Sequence, residues 1–446
     1  MGGQRIFDRA ACIGPDYKMT SIRVGICVLL AFSVLAHGAV EPWSEAVLEI
    51  GAAVLLAVWG LLFALGFAKE VRWNDLLAPL AGLWIFVVVQ YLAHLSASPF
   101  LTKVEIMKFS ALASLMFLAV QAYDTVEQWQ GFVWFVLVLG FAVSLFGIIQ
   151  HFTFNGKLYW VRELRYGGIP FGPYVNRNHF AGLVELVAPL GLSILVLRAE
   201  QRDRVPLIGI LTLLPIGALF LAASRAGIVC FLLEVGLVII LAFLRRPGQN
   251  HILAAAVVML LAGAFVVWLG VGPALDRFAT YRKLEVTEQR RTELFHDTWR
   301  IFVHHPGLGT GFGTFQAVFP GYETLYDGNF VLHAHNDYLE ALAETGLIGG
   351  ILWATFLILL FHGAWKRLKV ATNSLDLAFH IGALAACSGL LAHGIVDFNF
   401  HIPSNALLFL LLAALATSEM NSQRREVVNY ARHTANSAIA INTDPV

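Results

Sequence analysis

Apolar residues gather along this chain in long, nearly unbroken blocks, with no strand-like alternation and no sustained heptad. A helix needs about 20 consecutive apolar residues to cross a ~30 Å hydrocarbon layer. Blocks of that order run near 22–40, 45–68, 76–94, 107–123, 129–151, 178–197, 206–223, 226–244, 251–271, 346–365, 378–396 and 403–418. The pattern predicts twelve membrane-spanning helices. The first block follows Arg5, Arg9, Lys18 and Arg23, as a secretion signal would. Its exit, Ala36-His-Gly-Ala-Val40, is a mediocre cleavage site and further spans follow at once, so it reads as a retained span.

Two segments between blocks are too long to be simple connections: 152–177 and the 74 residues of 272–345. Structureless loops beyond ~15 residues are uncommon unless they carry a function. Within the longer one, Leu294, Phe295, Thr298, Ile301 and Phe302 fall close to helical spacing. An amphipathic helix is expected over 285–305, lying on the membrane and ending at Pro306. The division that follows is 1–150 for spans one to five and 151–271 for spans six to nine with their preceding loop. The loop 272–345, spans ten to twelve over 346–420, and a disordered tail 421–446 complete it.

Composition agrees with the blocks. Of 446 residues, 58% are apolar and 13% are Asp, Glu, Lys or Arg, about half the ~25% charged share of a soluble domain. The 30 basic and 30 acidic residues cancel, which leaves no overall field for nucleic acid. A disordered chain and a soluble enzyme of ordinary make-up are excluded. Cys12, Cys27, Cys230 and Cys387 lie far apart and form no CxxC pair, so no disulfide framework or structural metal site is indicated.

Orientation follows from where Lys and Arg collect. With a cytoplasmic N-terminus, the even-numbered spans exit at Lys69 and Arg72, at Arg198, Arg202 and Arg204, at Arg245 and Arg246 (after span eight), at Lys366, Arg367 and Lys369, and at Arg424, Arg425 and Arg432. The acidic loop 124–128 is the exception. Trp43, Trp73, Trp129, Trp160 and Trp365 fall near span ends, where interfacial anchors belong. Both termini are expected inside and the two long loops outside.

The unusual chemistry sits in those loops and at helix ends facing them. His333-Ala-His335-Asn336-Asp337-Tyr338 is the densest polar stretch and precedes a helix start at Leu339. A helix N-terminus disfavours an imidazolium, which keeps a neutral, proton-accepting ring available as a general base towards a hydroxyl. The plainer reading is a polar loop in which Asn336 or Asp337 caps the helix. As a metal site the His-x-His pair lacks a third ligand at set spacing. Arg290 and Arg291 open the amphipathic helix, behind Arg277, Arg282 and Lys283. They form either a solvated face touching headgroups or a fork for phosphate oxygens. Ser224-Arg225 stands between two blocks with almost no loop, and an arginine at membrane depth is usually paired or functional. Asp397, in His393-Gly-Ile-Val-Asp397-Phe-Asn-Phe-His401, is an attractive partner for an arginine or the histidine. Glu185 and Glu234 lie inside spans, their facing not legible. Pro306-Gly-Leu-Gly-Thr-Gly-Phe-Gly313 lacks the preceding strand of a dinucleotide fingerprint and reads as a close-approaching backbone with amides open to phosphate.

Together these stretches resemble the O-antigen ligase and polymerase family of bacterial membrane glycosyltransferases. The likeness covers about 140–415. It rests on Gly172-Pro-Tyr-Val-Asn176-Arg177-Asn178-His179-Phe-Ala, on Ser224-Arg225-Ala-Gly, on Arg291 fourteen residues before His305-Pro-Gly-Leu-Gly, and on His333-Ala-His335-Asn336-Asp-Tyr-Leu followed by Glu344-Thr-Gly346. Phe295 stands where the family often has Trp. The resemblance implies an all-α polytopic fold of GT-C-like kind with a long extracytoplasmic loop. It implies His335 as catalytic histidine, Arg291 as the donor-phosphate arginine, Arg225 as the family's membrane-level arginine and Asp397 as its late acidic residue, all four counted as catalytic. Arg290, His333, Asn336, Asn176, Arg177 and Asn178 would line the substrate. The donor would be a glycan on a polyprenyl diphosphate, the acceptor a glycan, lipid A core or protein hydroxyl, with no cofactor and no metal, at the outer face of the bacterial inner membrane. Ligase and chain polymerase share these motifs. From another class, a lipid-linked sugar flippase also suits twelve spans, although transporter sites lie near the midplane and here polarity gathers at one face. A non-catalytic scaffold leaves the His-x-His loop unexplained.

Overall fold

A computed structural model describes residues 16–67, 70–163, 169–247, 251–269, 288–326, 328 and 330–420. Each of the twelve apolar blocks contains a helix: α1 Asp16–Leu35, α2 Pro42–Ala64, α3 Leu77–Leu92, α4 Pro99–Ala122, α5 Val126–Phe152, α6 Arg177–Val196, α7 Val205–Ala222, α8 Arg225–Arg245 and α9 His251–Leu269. After the long loop, with its helix α10 (Glu288–His304) and a single turn α11 (Phe315–Val318), come α12 Asp337–Val370, α13 Ser374–His393 and α14 Pro403–Thr417. Among the described residues there are no β-strands, only the isolated bridges Leu158–Arg162 and Phe171–Tyr174. Eight helices (α2, α4 to α8, α12, α13) are long and apolar enough to cross a membrane, and α1, α3 and α14 are apolar but shorter. The protein is an all-helical, polytopic membrane protein.

Local chemistry sets the helix starts. Asn176, Ser224, Asn336 and Asn373 each accept a hydrogen bond from a first-turn amide, and Pro42, Pro99 and Pro403 open their helices. The core is the pair α6 and α13, with α7, α8 and α14 around it. Small residues let these backbones close up. A Cβ at Gly382 would meet the Leu190 backbone at 2.9 Å, and one at Gly140 would strike Val187. By contrast α2 leaves Val47, Ile50, Val54 and Leu61 exposed, as a helix facing lipid does.

The two ends of the bundle differ in charge. At one end Arg72 donates to the Gln121 carbonyl (2.7 Å), Arg245 to Lys369 (3.1 Å), Arg246 to Thr372 (3.2 Å) and Arg367 to Thr417 (3.1 Å). Arg72 also pairs with Asp124 at 3.5 Å, which explains the acidic loop of this otherwise basic rim. A cavity of ≈ 770 Å³ opens here among Arg23, Arg72, Lys366 and Arg367 and touches none of the histidine motif. The opposite end carries that motif, and there Arg162 is paired with Glu41. Trp43, Trp73, Trp160 and Trp365 are exposed near helix ends. Trp129 corrects the expectation: it is fully buried, stacked on Tyr123 at 4.5 Å.

Helix α10 occupies the place expected of the amphipathic helix. Leu294 and Ile301 point into a small core with Phe315, Phe319, Ala334 and Ala343, while Trp299 and Val303 stay exposed. Arg277, Arg282, Lys283 and the tail 421–446 lie outside the described residues. The glycine ladder has another use than phosphate binding. Its Thr310 and Gly311 amides donate to the carbonyls of Ala343 and Glu344 (3.0 and 2.9 Å). The Gly313 and Phe315 amides donate to the Glu344 carboxylate, both at 2.9 Å. This docking needs α12 to break at Gly346, whose φ of 60° and ψ of −161° suit glycine alone. A Cβ there would also run into the Gly307 carbonyl. Gly346→Ala is therefore expected to cost at least ~2 kcal/mol, seen as a lower melting temperature of the detergent-extracted protein. An unchanged melting temperature would remove this junction from the set of structural constraints.

Candidate active site

The histidine loop is anchored at the first turn of α12. Asn336 accepts from the amides of Tyr338 and Leu339 (3.1 and 3.0 Å), so the capping role is real. The Asp337 amide donates to the Gly394 carbonyl (2.8 Å) and the Tyr338 hydroxyl to the Leu391 carbonyl (2.6 Å), which ties the loop to the end of α13. His335 holds a φ of +50°, an uncommon conformation for a residue with a Cβ and one that tends to occur where function fixes it.

Two histidine–carboxylate networks then flank Phe398. In the first, Glu340 receives the Ala334 amide (2.7 Å) and approaches His333 Nδ1 (2.9 Å) and His401 Nε2 (3.2 Å). His401 Nδ1 lies 2.9 Å from Asp337. In the second, His335 Nδ1 stands 3.4 Å from Asp397 Oδ1, an ion-pair distance rather than a tight hydrogen bond. The other Asp397 oxygen is 3.9 Å from His393 Nε2, and His393 Nδ1 is 2.8 Å from Glu185. The Phe398 ring lies 4.5 Å from His333, 4.8 Å from His335 and 4.7 Å from His179, centre to centre.

Electrostatics distinguishes the rings. Burial pushes the His333 imidazole below its ordinary pKa, with Glu340 pulling the other way and Lys108 adding to the depression. Burial works against His401 too, but Glu340 and the hydrogen bond to Asp337 prevail and raise it to about 10. Asp397 is 1% exposed. Its burial penalty is overcome by the His335 contact and by the fields of His179 and His393, which hold its carboxyl well below the usual range.

The other expected residues fall into two groups. Arg225 begins α8, whose cap Ser224 donates to Asn178 Oδ1 (2.9 Å), and whose Gly227 packs beside Glu185. Arg291 precedes by one turn Leu294, which shares a core with Ala334 between the two loop histidines. Its Nε is buried with no hydrogen-bond partner among the described residues. Both arginines thus ride on helices packed against the histidine end. Arg290 is buried and paired with Glu323 at 2.5 Å. Asn176 is spent on capping α6, and Asn178 on Ser224. The Arg177 amide donates to the Ile169 carbonyl (2.9 Å).

Folding supplies what the linear spacing lacked. His333, Glu340 and His401 bring three ligand-type atoms within 4.8 Å of one another, as do Glu185, Cys230 and His393. Either trio has the donor chemistry to hold a divalent ion, but in both of them histidine and carboxylate already partner each other. Sequence reading passed over His393, His401, Glu340 and Phe398 as participants. The signal was the recurrence His393, Asp397, His401 at four-residue intervals. Glu185 and Lys108, which sits 2.7 Å from Glu105 and 3.5 Å from Glu45, had no such signal.

Comparison with known proteins bears on this arrangement. A family model described as O-antigen ligase matches residues 210–354, about a third of the chain. The matched stretch contains Arg225, Arg291, His333 and His335 and stops short of Asp397. Over that stretch the chain is similar to the O-antigen ligase family. It is also 27% identical over 197 residues to the exopolysaccharide production protein ExoQ of Rhizobium meliloti, a match over 40% of this chain and 42% of that relative's length. These matches agree with the resemblance read from the motifs.

Because His401 is held protonated far above an ordinary imidazole, its pairing with Glu340 is fully present below about pH 6.5 and is lost as pH rises through about 10. The protein's thermal stability is expected to decline between those limits. His401→Gln should flatten that decline, measured by melting in detergent across pH 6–10. Identical pH curves for the two proteins would contradict the assignment.

Proposed function

We propose that the protein is an inverting glycosyltransferase that needs no metal and works at the outer face of a bacterial inner membrane. It would move a glycan from a polyprenyl diphosphate to an acceptor hydroxyl, in the manner of an O-antigen ligase. The observation that carries this reading is His335 backed by buried Asp397, with Arg225 and Arg291 on helices packed against the same end. The basic rim at the other end supports an orientation with both termini in the cytoplasm.

In this reading the acceptor oxygen attacks the anomeric carbon while its proton passes to His335 Nε2. The bond from that carbon to the diphosphate oxygen breaks on the opposite face, which inverts the centre. Nδ1 of His335 faces Asp397, so the carboxylate stabilises the imidazolium as it forms. The guanidiniums of Arg225 and Arg291 take up charge on the departing diphosphate, helped by the adjoining N-termini of α6 and α8. Energy comes from the diphosphate linkage, so no nucleotide is required. The name of the Rhizobium relative favours a second reading within the same chemistry: a polymerase that extends an exopolysaccharide chain.

In a strain deleted for the gene and carrying His335→Ala or Arg291→Ala, transfer is expected to fall at least ~100-fold with the protein still present in the membrane. Gels of surface glycan then separate the two acceptors: unattached polymer on its carrier marks a ligase, and single repeat units without a ladder mark a polymerase. Retained transfer in both variants would overturn the assigned roles. Chelation of divalent ions in purified membranes is expected to leave the rate unchanged. Loss restored by one added ion would instead favour a metal-dependent transferase.

A further inference from the structure

The second network reaches deeper than the transfer chemistry requires. His393 and Glu185 are both 0% exposed, one at the last residue of α13 and the other midway along α6. Burying such a pair seldom stabilises a fold, since a well-packed apolar pair of like volume does as well or better. The helices nonetheless make room for it. Gly227 leaves space beside Glu185, where a Cβ would come within 3.1 Å of the carboxylate.

Geometry gives the pair a use. Asp397 receives the Phe398 amide (2.9 Å) and faces His335 with one oxygen, while its other oxygen lies 3.9 Å from His393 Nε2, at ion-pair range and without a direct hydrogen bond. His393 stands between two carboxylates, Nδ1 at 2.8 Å from Glu185 and Nε2 at 3.9 Å from Asp397, and as an imidazolium it offers a proton to each. A ring whose one nitrogen is engaged has the orientation of the other decided for it. The same holds one step further out, where Asp397 takes His335 Nδ1 and leaves Nε2 to meet substrate.

We propose that His393 and Glu185 are positioning residues for the transfer reaction, holding Asp397 so that it aims His335 at the acceptor hydroxyl. This rests on His335 being the group that handles the acceptor. Neither residue touches substrate; both act through Asp397.

The test is a double-mutant cycle in membranes of the deletion strain, whose own lipid-linked glycan and acceptor are the probe. Rates are taken per amount of accumulated protein and at varied donor. His393→Leu is expected to lower the saturating rate about 10- to 100-fold, with the donor concentration for half-maximal rate unchanged. His393→Gln, which keeps an amide donor near Asp397, should recover most of the rate. In an Asp397→Asn background, His393→Leu should cost less than about twofold more, since the group it serves is already lost. Should His393→Leu fail to accumulate, Glu185→Gln against Glu185→Leu runs the same cycle. Full multiplicative losses in both backgrounds, or no advantage of Gln over Leu, would overturn the proposal. His335→Ala separates the two failures. If it retains transfer, the glycosyltransferase reading falls; if it abolishes transfer while the cycle is multiplicative, only the positioning role falls.

Discussion

A carboxylate buried at the end of an apolar bundle must find a partner or give up its charge. Asp397, Glu340 and Glu185 are each exposed by no more than 1%, and each is met by a histidine. Most of the architecture around the site follows from that requirement. The partners come from the loop before α12, from the end of α13 and from the turn before α14. The networks can therefore form only when those three segments are in register. Phe398 separates the two networks and packs against a ring of each, so that His333 and His335 do not share a carboxylate.

Rigidity in this region is built from backbone as much as from side chains. The Pro306–Phe315 segment is bonded to the broken end of α12, and Gln90 of α3 donates to the Leu308 and Glu344 carbonyls (2.5 and 3.2 Å). α10 is thereby fixed over the histidine loop, and Arg291 with it. Arg290, one residue away, is locked onto Glu323. Two adjacent arginines thus differ in surroundings: Arg290 holds the loop through Glu323, and Arg291 has a buried Nε with no hydrogen-bond partner among the described residues.

The bundle also divides its charges by end. Cations at the rim away from the histidines bond to carbonyls that close the helices, a favourable use at helix C-termini. The N-termini of α6, α8 and α12 lie at the histidine end, where their partial positive charge suits an anionic substrate. Alternating helix direction produces both effects at once.

Hydrophobic block length determined the helices by itself, because a lipid core demands a continuous apolar stretch whatever packs around it. Each of the twelve blocks holds a helix, and the amphipathic helix lies where its spacing put it. The motifs likewise singled out His335 and Asp397, which the structure brings within 3.4 Å of each other. What the chain order could not state was facing and pairing. Trp129 stacks inward on Tyr123 although it stands at a span end, and the glycine ladder serves Glu344 and not a phosphate. Asn176 and Asn178 are absorbed in helix starts. Glu185 reaches His393 across more than 200 positions of sequence. Contacts of that range depend on which faces of two helices meet, and in an all-apolar helix the sequence pattern carries little record of which face that is.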